Sequence, residues 1–169
     1  MNSSTLTTEE IGNFQEIHNI FIPKRKKAFQ TFYVTDKKNK KKTKPILDKA
    51  LFLLKELNIT NIDKKCNHME FHKRNSGFEK KDLKNWFIWH QDDYSAVSWP
   101  CYTIIFYIRK DPTLKGGNLE YKDVGINKVQ PITSGTILTF CGNIEHRPQS
   151  TTGFGCRDII VVFIKRTKK

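Results

Sequence analysis

The sequence predicts an α+β fold in which a helical first part covers one face of a β-rich second part. Apolar residues recur at helical spacing in two segments of the first 66 residues. From Asn67 onward, short β-branched or aromatic segments alternate with turn residues. Because helices and sheets must bury their apolar faces, we expect the helices to pack on the sheet. A chain of 169 residues suits one domain, with a helical support over 1–66 and a β-rich core over 67–169.

The first helix is predicted over residues 7–21. Thr7 and Glu10 have the spacing of a capping box, in which each side chain accepts a hydrogen bond from the other residue's backbone amide. Four apolar residues follow near helical spacing: Ile11, Phe14, Ile17 and Phe21. A second helix is predicted over residues 45–58, where Pro45 suits the first turn and apolar residues recur three, four and seven positions apart.

The remaining regular segments have the composition of β-strands. The first of these strands is predicted over residues 28–35, between the two helices. After Asn67 we expect about eight strands at most, bounded by Gly, Pro, Asn and Asp. The segments that predict them are HMEFH, WFIWH, CYTIIFYI, NLEYKDV, GTILTF and DIIVVFIK.

Basic residues are concentrated in residues 24–44. This segment has ten Lys or Arg and one acid, so it carries +9 of the chain's net charge of +13. We interpret it as a solvated loop between the helices. Nucleic-acid binding is the alternative, because clustered cations attract polyanions. Specific readers of nucleic acid use arginine forks, whereas Lys supplies most of this charge, which favours the solvated loop.

The sequence also bears on location. No apolar run approaches the ~20 residues needed to cross a bilayer, and residues 1–10 lack the basic and apolar regions of a secretory signal. We therefore expect a cytoplasmic protein that is not secreted and has no membrane partner. A nuclear location is the alternative, because the lysine-rich run at 37–44 resembles an import signal.

A candidate metal site lies in the segment 87–99, FIWHQDDYSAVSW. His90 and Asp92 are two positions apart, and on a strand such residues project to the same face, so both can reach one ion. Asp93 then points away. His146 follows a later predicted strand and supplies a second imidazole. Two imidazoles and one carboxylate form the facial triad that binds non-haem Fe(II) and leaves coordination positions open.

Other interpretations of these residue types remain open. Cys66, His68 and His72 form an alternative, poorly spaced zinc cluster. Arg157 begins the otherwise apolar segment RDIIVVFIK, and burying its charge is costly unless an anion meets it. That anion is either an anionic cosubstrate or a carboxylate of the chain such as Asp158.

From about Trp86 to Arg166 the chain resembles the 2-oxoglutarate/Fe(II)-dependent dioxygenases, in particular the prolyl 4-hydroxylase-like branch. The resemblance implies a double-stranded β-helix, also called a jelly roll, as the catalytic core, with N-terminal helices packed on the outer face of one sheet. The matching segments stand in family order: HQD (90–92), YTIIFYIRKD (102–111), KGGNLEY (115–121), PITSGTILTF (131–140), His146 and GFGCRDIIVVFI (153–164).

The resemblance also implies a reaction and a set of site residues. His90, Asp92 and His146 would be the catalytic residues that bind Fe(II). Arg157 would pair with the distal carboxylate of 2-oxoglutarate, and Tyr107 would donate its hydroxyl to the same carboxylate. O2 would be the second cosubstrate, with ascorbate as a reductant. The reaction would hydroxylate a C–H bond and release succinate and CO2.

A prolyl residue of a peptide or protein is the substrate that the resemblance favours. A lysyl residue, a free amino acid and a nucleic acid are the alternatives within the same class. A non-enzymatic, basic nucleic-acid-binding module of the same fold is a further alternative. The branch that repairs alkylated nucleic acids carries a second arginine six residues after the first, and Phe163 stands at that position, which disfavours a nucleic-acid demethylase.

Two further features flank the expected site. Gly116 and Gly117 predict a tight turn with positive φ before the next strand. Trp86, Trp89 and Trp99 surround the His-x-Asp element. These tryptophans either line a substrate groove or belong to the core.

Overall fold

The structure, a computed structural model, describes residues 1–22, 29–33, 37–75 and 88–167, and only the backbone of residues 29–33, 37, 38 and 75. The helices in this part of the chain are α1 (Thr8–Phe21), α2 (Lys37–Lys42) and α3 (Lys44–Glu56). The strands are β1 (Asn2–Thr5), β2 (Phe29–Tyr33), β3 (Ile62–Asn75), β4 (Cys101–Lys110), β5 (Leu114–Gly116), β6 (Leu119–Asp123), β7 (Ile126–Gln130), β8 (Thr136–Cys141), β9 (His146–Pro148), β10 (Thr151–Gly153) and β11 (Cys156–Arg166).

Both predicted helices are confirmed. Thr7 caps α1 through the expected capping box: its side chain accepts a hydrogen bond from the Glu10 amide, and Glu10 Oε2 accepts one from the Thr7 amide at 2.9 Å. α3 begins at Lys44, one residue before the predicted start, with Pro45 in its first turn. None of the described helices is long and apolar enough to cross a membrane.

The lysine-rich segment differs from the predicted loop where the structure describes it. Lys37–Lys42 form the short helix α2, and Lys44 begins α3. Lysine has a high helix propensity, so a lysine run next to a helix extends the helical conformation at little cost. The Thr43 hydroxyl closes α2 by donating to the carbonyls of Asn39 and Lys40, at 3.3 and 3.2 Å. Residues 24–28 and 34–36 lie outside the described part.

Replacing Lys40, Lys41 and Lys42 with glutamine is expected to change the free energy of unfolding by ~0.5 kcal/mol or less, since exposed charges contribute weakly to stability. Urea denaturation measures this change. The same variant tests the nucleic-acid alternative. A steep salt dependence of duplex binding that disappears in the glutamine variant would overturn the interpretation of these lysines as merely solvated.

Eleven described strands form one large and two small sheets. The large sheet has the strand order β1-β8-β4-β11-β3-β2, and its neighbours are all antiparallel. β7-β6-β9 and β10-β5 form the small sheets. β1 and β2 belong to the large sheet, so residues 1–66 supply more than the helical support expected of them. From β3 onward there are nine described strands, whereas about eight at most were predicted. The sequence does not reveal strands of three residues, because they are too short for an alternating pattern.

The large sheet has one face toward the helices and one toward a cavity. Along β4, Ile104, Phe106 and Ile108 belong to the apolar cluster shared with α1 and α3, whereas the residues between them face the other way. The ring of Phe14 on α1 meets Phe106 edge-on, with centroids 5.3 Å apart. α3 buries Ile46, Ala50 and Leu54 in the same cluster. The helices thus close one face and leave the other free for a site.

The predicted strand WFIWH is wrong in its described part. Residues 88–100 form bends and turns, and His90 takes part only in an isolated bridge to His146. The chain turns immediately afterward because the amides of Asp92 and Asp93 both donate to the Gly142 carbonyl, at 2.7 and 3.1 Å. Two consecutive amides that share one acceptor are incompatible with a regular ladder.

Candidate active site

A cavity of about 660 Å³ lies on the sheet face opposite the helices. β3, β4 and β11 supply one wall, and residues of β6 and β9 lie across from them. The predicted residues His90, Asp92, His146, Arg157 and Tyr107 all line it. Residues that are widely separated in sequence therefore face one space.

Three side chains in this cavity converge as metal ligands would. His90 Nε2 lies 3.9 Å from Asp92 Oδ1, and His146 Nε2 lies 3.7 Å from Asp92 Oδ2. One ligand atom from each residue lies within 4.8 Å of the other two. In the described part of the chain no other group of three His, Cys, Asp or Glu residues converges in this way. The alternative zinc cluster of Cys66, His68 and His72 is therefore not found.

The backbone brings the two histidines together. The amide of His90 donates to the carbonyl of His146 at 3.0 Å, and the amide of His146 donates back at 2.9 Å. The Asp92 amide bonds to Gly142, where a Cβ atom would overlap the Asp93 carboxylate and the Cys101 sulfur. Glycine is therefore required at this close approach.

The histidine tautomers are fixed by carbonyl oxygens two residues earlier in the chain. His90 Nδ1 donates to the Ile88 carbonyl at 3.0 Å, and His146 Nδ1 donates to the Ile144 carbonyl at 2.9 Å. A carbonyl only accepts, so each Nδ1 carries the proton, and in the neutral ring Nε2 is then the atom with the lone pair. Burial lowers the pKa of His146, which favours its neutral form. Neutral imidazole is the form that binds metals.

Neighbouring side chains orient the two aspartates differently. Thr103 donates to Asp92 Oδ2 at 2.6 Å, and both residues are buried. Asp93 turns away from the histidines, since its Oδ1 accepts from the Cys101 amide at 2.8 Å and its Oδ2 from Arg166. Sequence reasoning missed Thr103, although period-2 alternation along β4 places it on the same face as Tyr107.

Replacing Thr103 with valine is expected to weaken Fe(II) binding about 10- to 100-fold, because it removes the hydrogen bond that orients the Asp92 carboxylate. Anaerobic Fe(II) titration measures the change. Thr139→Val is the matched control, since Thr139 is a buried threonine on the adjacent strand β8 and does not line the cavity. Equal iron affinities in the two variants would contradict the role of Thr103.

Arg157 and Tyr107 adjoin each other in the cavity wall. The Arg157 guanidinium lies 5.9 Å from the Tyr107 ring centroid, and both side chains are buried. Burial lowers the pKa of Arg157 and raises that of Tyr107 to about 12, so the phenol keeps its proton and can donate. Asp158 lies elsewhere, 3.7 Å from Lys73 Nζ. Among the described residues no carboxylate lies within 4.0 Å of the Arg157 guanidinium, so the expected alternative of a salt bridge there is not found.

The glycine turn supports Arg157. Gly116 and Gly117 have φ of 73° and 70°, as predicted. The Gly117 carbonyl accepts a hydrogen bond from Arg157 Nη1, and a Cβ on Gly117 would lie 3.0 Å from the same nitrogen. The turn thus holds the guanidinium without a counter-anion.

A row of polar side chains on β3 also lines the cavity, and sequence reasoning missed its role. It comprises His68, Glu70, His72 and Arg74. Glu70 Oε1 lies 3.1 Å from His68 Nε2, and Oε2 lies 2.9 Å from His72 Nε2. Burial by itself would raise the pKa of Glu70, but these hydrogen bonds lower it to about 2. The alternating polar residues of HMEFHKR were the available signal.

The two described tryptophans, Trp89 and Trp99, lie in different places and neither lines the main cavity. Trp89 does not line the cavity; its ring lies 5.0 Å from Lys122 Nζ and 4.7 Å from Arg147 Cζ, which is cation–π geometry. Trp99 packs on the cavity-side apolar cluster and lines a second cavity of about 370 Å³. Trp86 lies outside the described residues.

Comparisons with solved structures place this arrangement among known folds. A prolyl 4-hydroxylase from Pseudomonas putida superposes with a TM-score of 0.68 at 12% identity, over 99% of this chain and 92% of that one. The fold is that of the prolyl 4-hydroxylases. A prolyl hydroxylase from Trichoplax adhaerens, in complex with a peptide fragment of hypoxia inducible factor, gives a TM-score of 0.68 at 12% identity, over 98% and 83% of the two chains.

A viral collagen prolyl hydroxylase from Paramecium bursaria Chlorella virus 1, in complex with 2-oxoglutarate, gives a TM-score of 0.64 at 14% identity, over 99% of this chain and 96% of the viral one. No family model and no curated protein sequence matches the chain. The similarity to these solved structures confirms the predicted double-stranded β-helix.

Proposed function

We propose that the protein is an Fe(II)- and 2-oxoglutarate-dependent dioxygenase that hydroxylates a C–H bond and releases succinate and CO2. One observation carries the proposal: a His-Asp-His triad and a buried arginine without a described carboxylate partner line the same cavity. The confirmed fold is the one in which prolyl hydroxylases and 2-oxoglutarate-Fe(II) oxygenases occur. The triad suits the metal of an oxygenase, and the arginine suits its anionic cosubstrate.

The chemistry of the donor set fits Fe(II). His90 and His146 offer their Nε2 atoms, Asp92 offers a carboxylate, and the two imidazoles have their other nitrogens engaged. A 2-His-1-carboxylate set leaves positions open, unlike a closed structural zinc site. These three residues would hold the iron, and the iron together with 2-oxoglutarate supplies the oxidation of the substrate C–H bond by O2.

Arg157 and Tyr107 fit the distal carboxylate of 2-oxoglutarate. The guanidinium offers a planar fork of donors and the protonated phenol offers one more, in a region shielded from water. Apolar side chains line the same cavity: Ile105, Leu119, Ile159, Val161 and Phe163. They exclude water, which strengthens each polar contact inside the cavity. Ascorbate would act as the external reductant.

A prolyl residue of a peptide or protein is the proposed substrate. The Trichoplax hydroxylase with a similar fold was solved with a peptide, and the viral one is named for collagen. The test is mass spectrometry of proline-containing peptides after incubation with the protein, Fe(II), 2-oxoglutarate and O2, with ascorbate present. We expect one added oxygen on a prolyl residue. Oxygen added only to a lysyl residue, free amino acid or oligonucleotide would overturn the prolyl assignment.

A further inference from the structure

The strongest unexplained feature of the cavity is Glu70 between His68 and His72 on β3. The proposed reaction assigns no role to these three side chains, yet all face the cavity that holds the triad. Their exposed fractions are 13% for Glu70, 12% for His72 and 24% for His68. A carboxylate that is so nearly enclosed needs hydrogen-bond donors, and the two imidazoles supply only some of the hydrogen bonds that it can accept.

The hydrogen bonds leave Glu70 with accepting capacity. Each of its oxygens takes one bond from an imidazole nitrogen, and an ionised carboxylate has about four lone-pair sites. About two sites therefore remain for a ligand. The lowered pKa of Glu70, about 2, keeps the carboxylate negative at neutral pH. The ligand group that meets it must be a donor, and a cationic donor gains most.

An apolar stripe separates Glu70 from the triad. Ile159, Val161 and Phe163 of β11 project between β3 and β4, and Val161 is directly opposite both Glu70 and Ile105 in the strand register. Thr103, which holds Asp92, lies on β4, two strand spacings or about 10 Å from β3. A ligand that extends from the triad to Glu70 thus needs an aliphatic stem with a donor at its end, as in a lysine side chain.

A second cavity adjoins the main cavity along β3 beyond Glu70. His68 and Ala96 line both the main cavity and the second cavity, to which Lys65, Cys66 and Trp99 also contribute. A ligand longer than one residue can therefore follow the strand outward. This favours a peptide over a free amino acid.

The net charge of +13 does not decide against a basic ligand. Residues 24–44 carry +9 of it. The described end of this segment leads into α3, which packs on the opposite sheet face. The part of the segment that pairs with β3, Phe29–Tyr33, contains no charged residue, and a carboxylate inside the cavity acts on a ligand at contact distance, where salt screens it little.

We propose that Glu70, held by His68 and His72, binds the ammonium group of a lysine side chain in a peptide substrate, close to the residue that is hydroxylated. This inference rests on the proposed function, since it places the substrate between β3 and the triad.

The test uses a series of fluorescein-labelled decapeptides. Each peptide has one proline and one lysine, and the distance of the lysine from the proline differs from peptide to peptide. Each peptide has norleucine and acetyllysine counterparts, which keep the aliphatic stem and lose the charge. Binding is measured by anisotropy under anaerobic conditions with Fe(II) and 2-oxoglutarate. We expect at least one lysine position to bind about tenfold more tightly than both counterparts. Glu70→Gln should reduce this ratio to about twofold or less, and Glu70→Asp should keep part of it.

Glu16→Gln, the same change on the exposed face of α1, is the control and should keep the full ratio. Absence of any lysine preference in the wild type, or an unchanged preference in Glu70→Gln, would overturn the inference. The visible charge-transfer band of the Fe(II)–2-oxoglutarate chelate is recorded in the same samples. A band without lysine preference rejects only the role of Glu70, whereas absence of the band rejects the proposed function itself.

Discussion

Replacing His146 with alanine is expected to abolish iron retention and to reduce succinate formation from 2-oxoglutarate by more than about 100-fold. The Nε2 atom of His146 is one of three converging ligand atoms. Loss of a residue that only hydrogen-bonds to a metal ligand already lowers metal affinity or activity 10- to 100-fold, so loss of a ligand should cost more. His90→Ala should behave in the same way. Iron content by metal analysis and succinate by chromatography measure the two effects.

The β-fold should survive these replacements, because the apolar cluster beneath the sheet does not include the triad. Circular dichroism checks this. Asp48→Asn, an exposed carboxylate on α3, serves as the control and should keep both iron and activity. Normal 2-oxoglutarate turnover by either alanine variant would show that the triad assignment is wrong.

Arg157→Ala is expected to weaken 2-oxoglutarate binding by about 100-fold or more, because the distal carboxylate would be buried without its cation. Arg157→Lys keeps the charge and loses the planar fork, and Tyr107→Phe loses one hydrogen bond, so each should cost about tenfold. Anaerobic calorimetry with the Fe(II) protein measures the affinities. Iron content should stay near the wild-type value in all three variants.

Arg109→Ala is the matched control. Arg109 lies on β4, which pairs with the strand β11 that carries Arg157, but it is half-exposed and pairs with Asp111 outside the cavity. Its replacement should leave 2-oxoglutarate affinity unchanged. If Arg157→Ala binds the cosubstrate as tightly as Arg109→Ala does, Arg157 is a structural residue and the cosubstrate assignment fails.

The sequence predicted the long elements because they have local signals. The capping box at Thr7 and the unbroken apolar run of β4 act over a few residues, and the structure confirms them. His90, Asp92 and His146 were selected by residue type and by resemblance. Their convergence depends on the backbone pairing of His90 with His146 and on the bond from Asp92 to Gly142, neither of which leaves a periodic pattern.

The missed features depend on tertiary contacts. The segment before His90 has strand composition, yet Ile88 and Trp89 belong to no strand, and just after His90 the amides of Asp92 and Asp93 bond to Gly142. The strands β5, β9 and β10 have three residues each, too few for alternation to show. Glu70 stood in a readable alternating pattern, but only the position of β3 beside β11 shows that this face lines the cavity.

The central proposal, that this cavity binds Fe(II) and 2-oxoglutarate together, can be tested by one titration. 2-Oxoglutarate is added to anaerobic wild-type protein containing one equivalent of Fe(II), and the weak visible charge-transfer band of the chelate is followed. We predict a band that saturates at one equivalent in the wild type and is absent from His146→Ala. No band in the wild type, or an equal band in His146→Ala, would contradict the proposal.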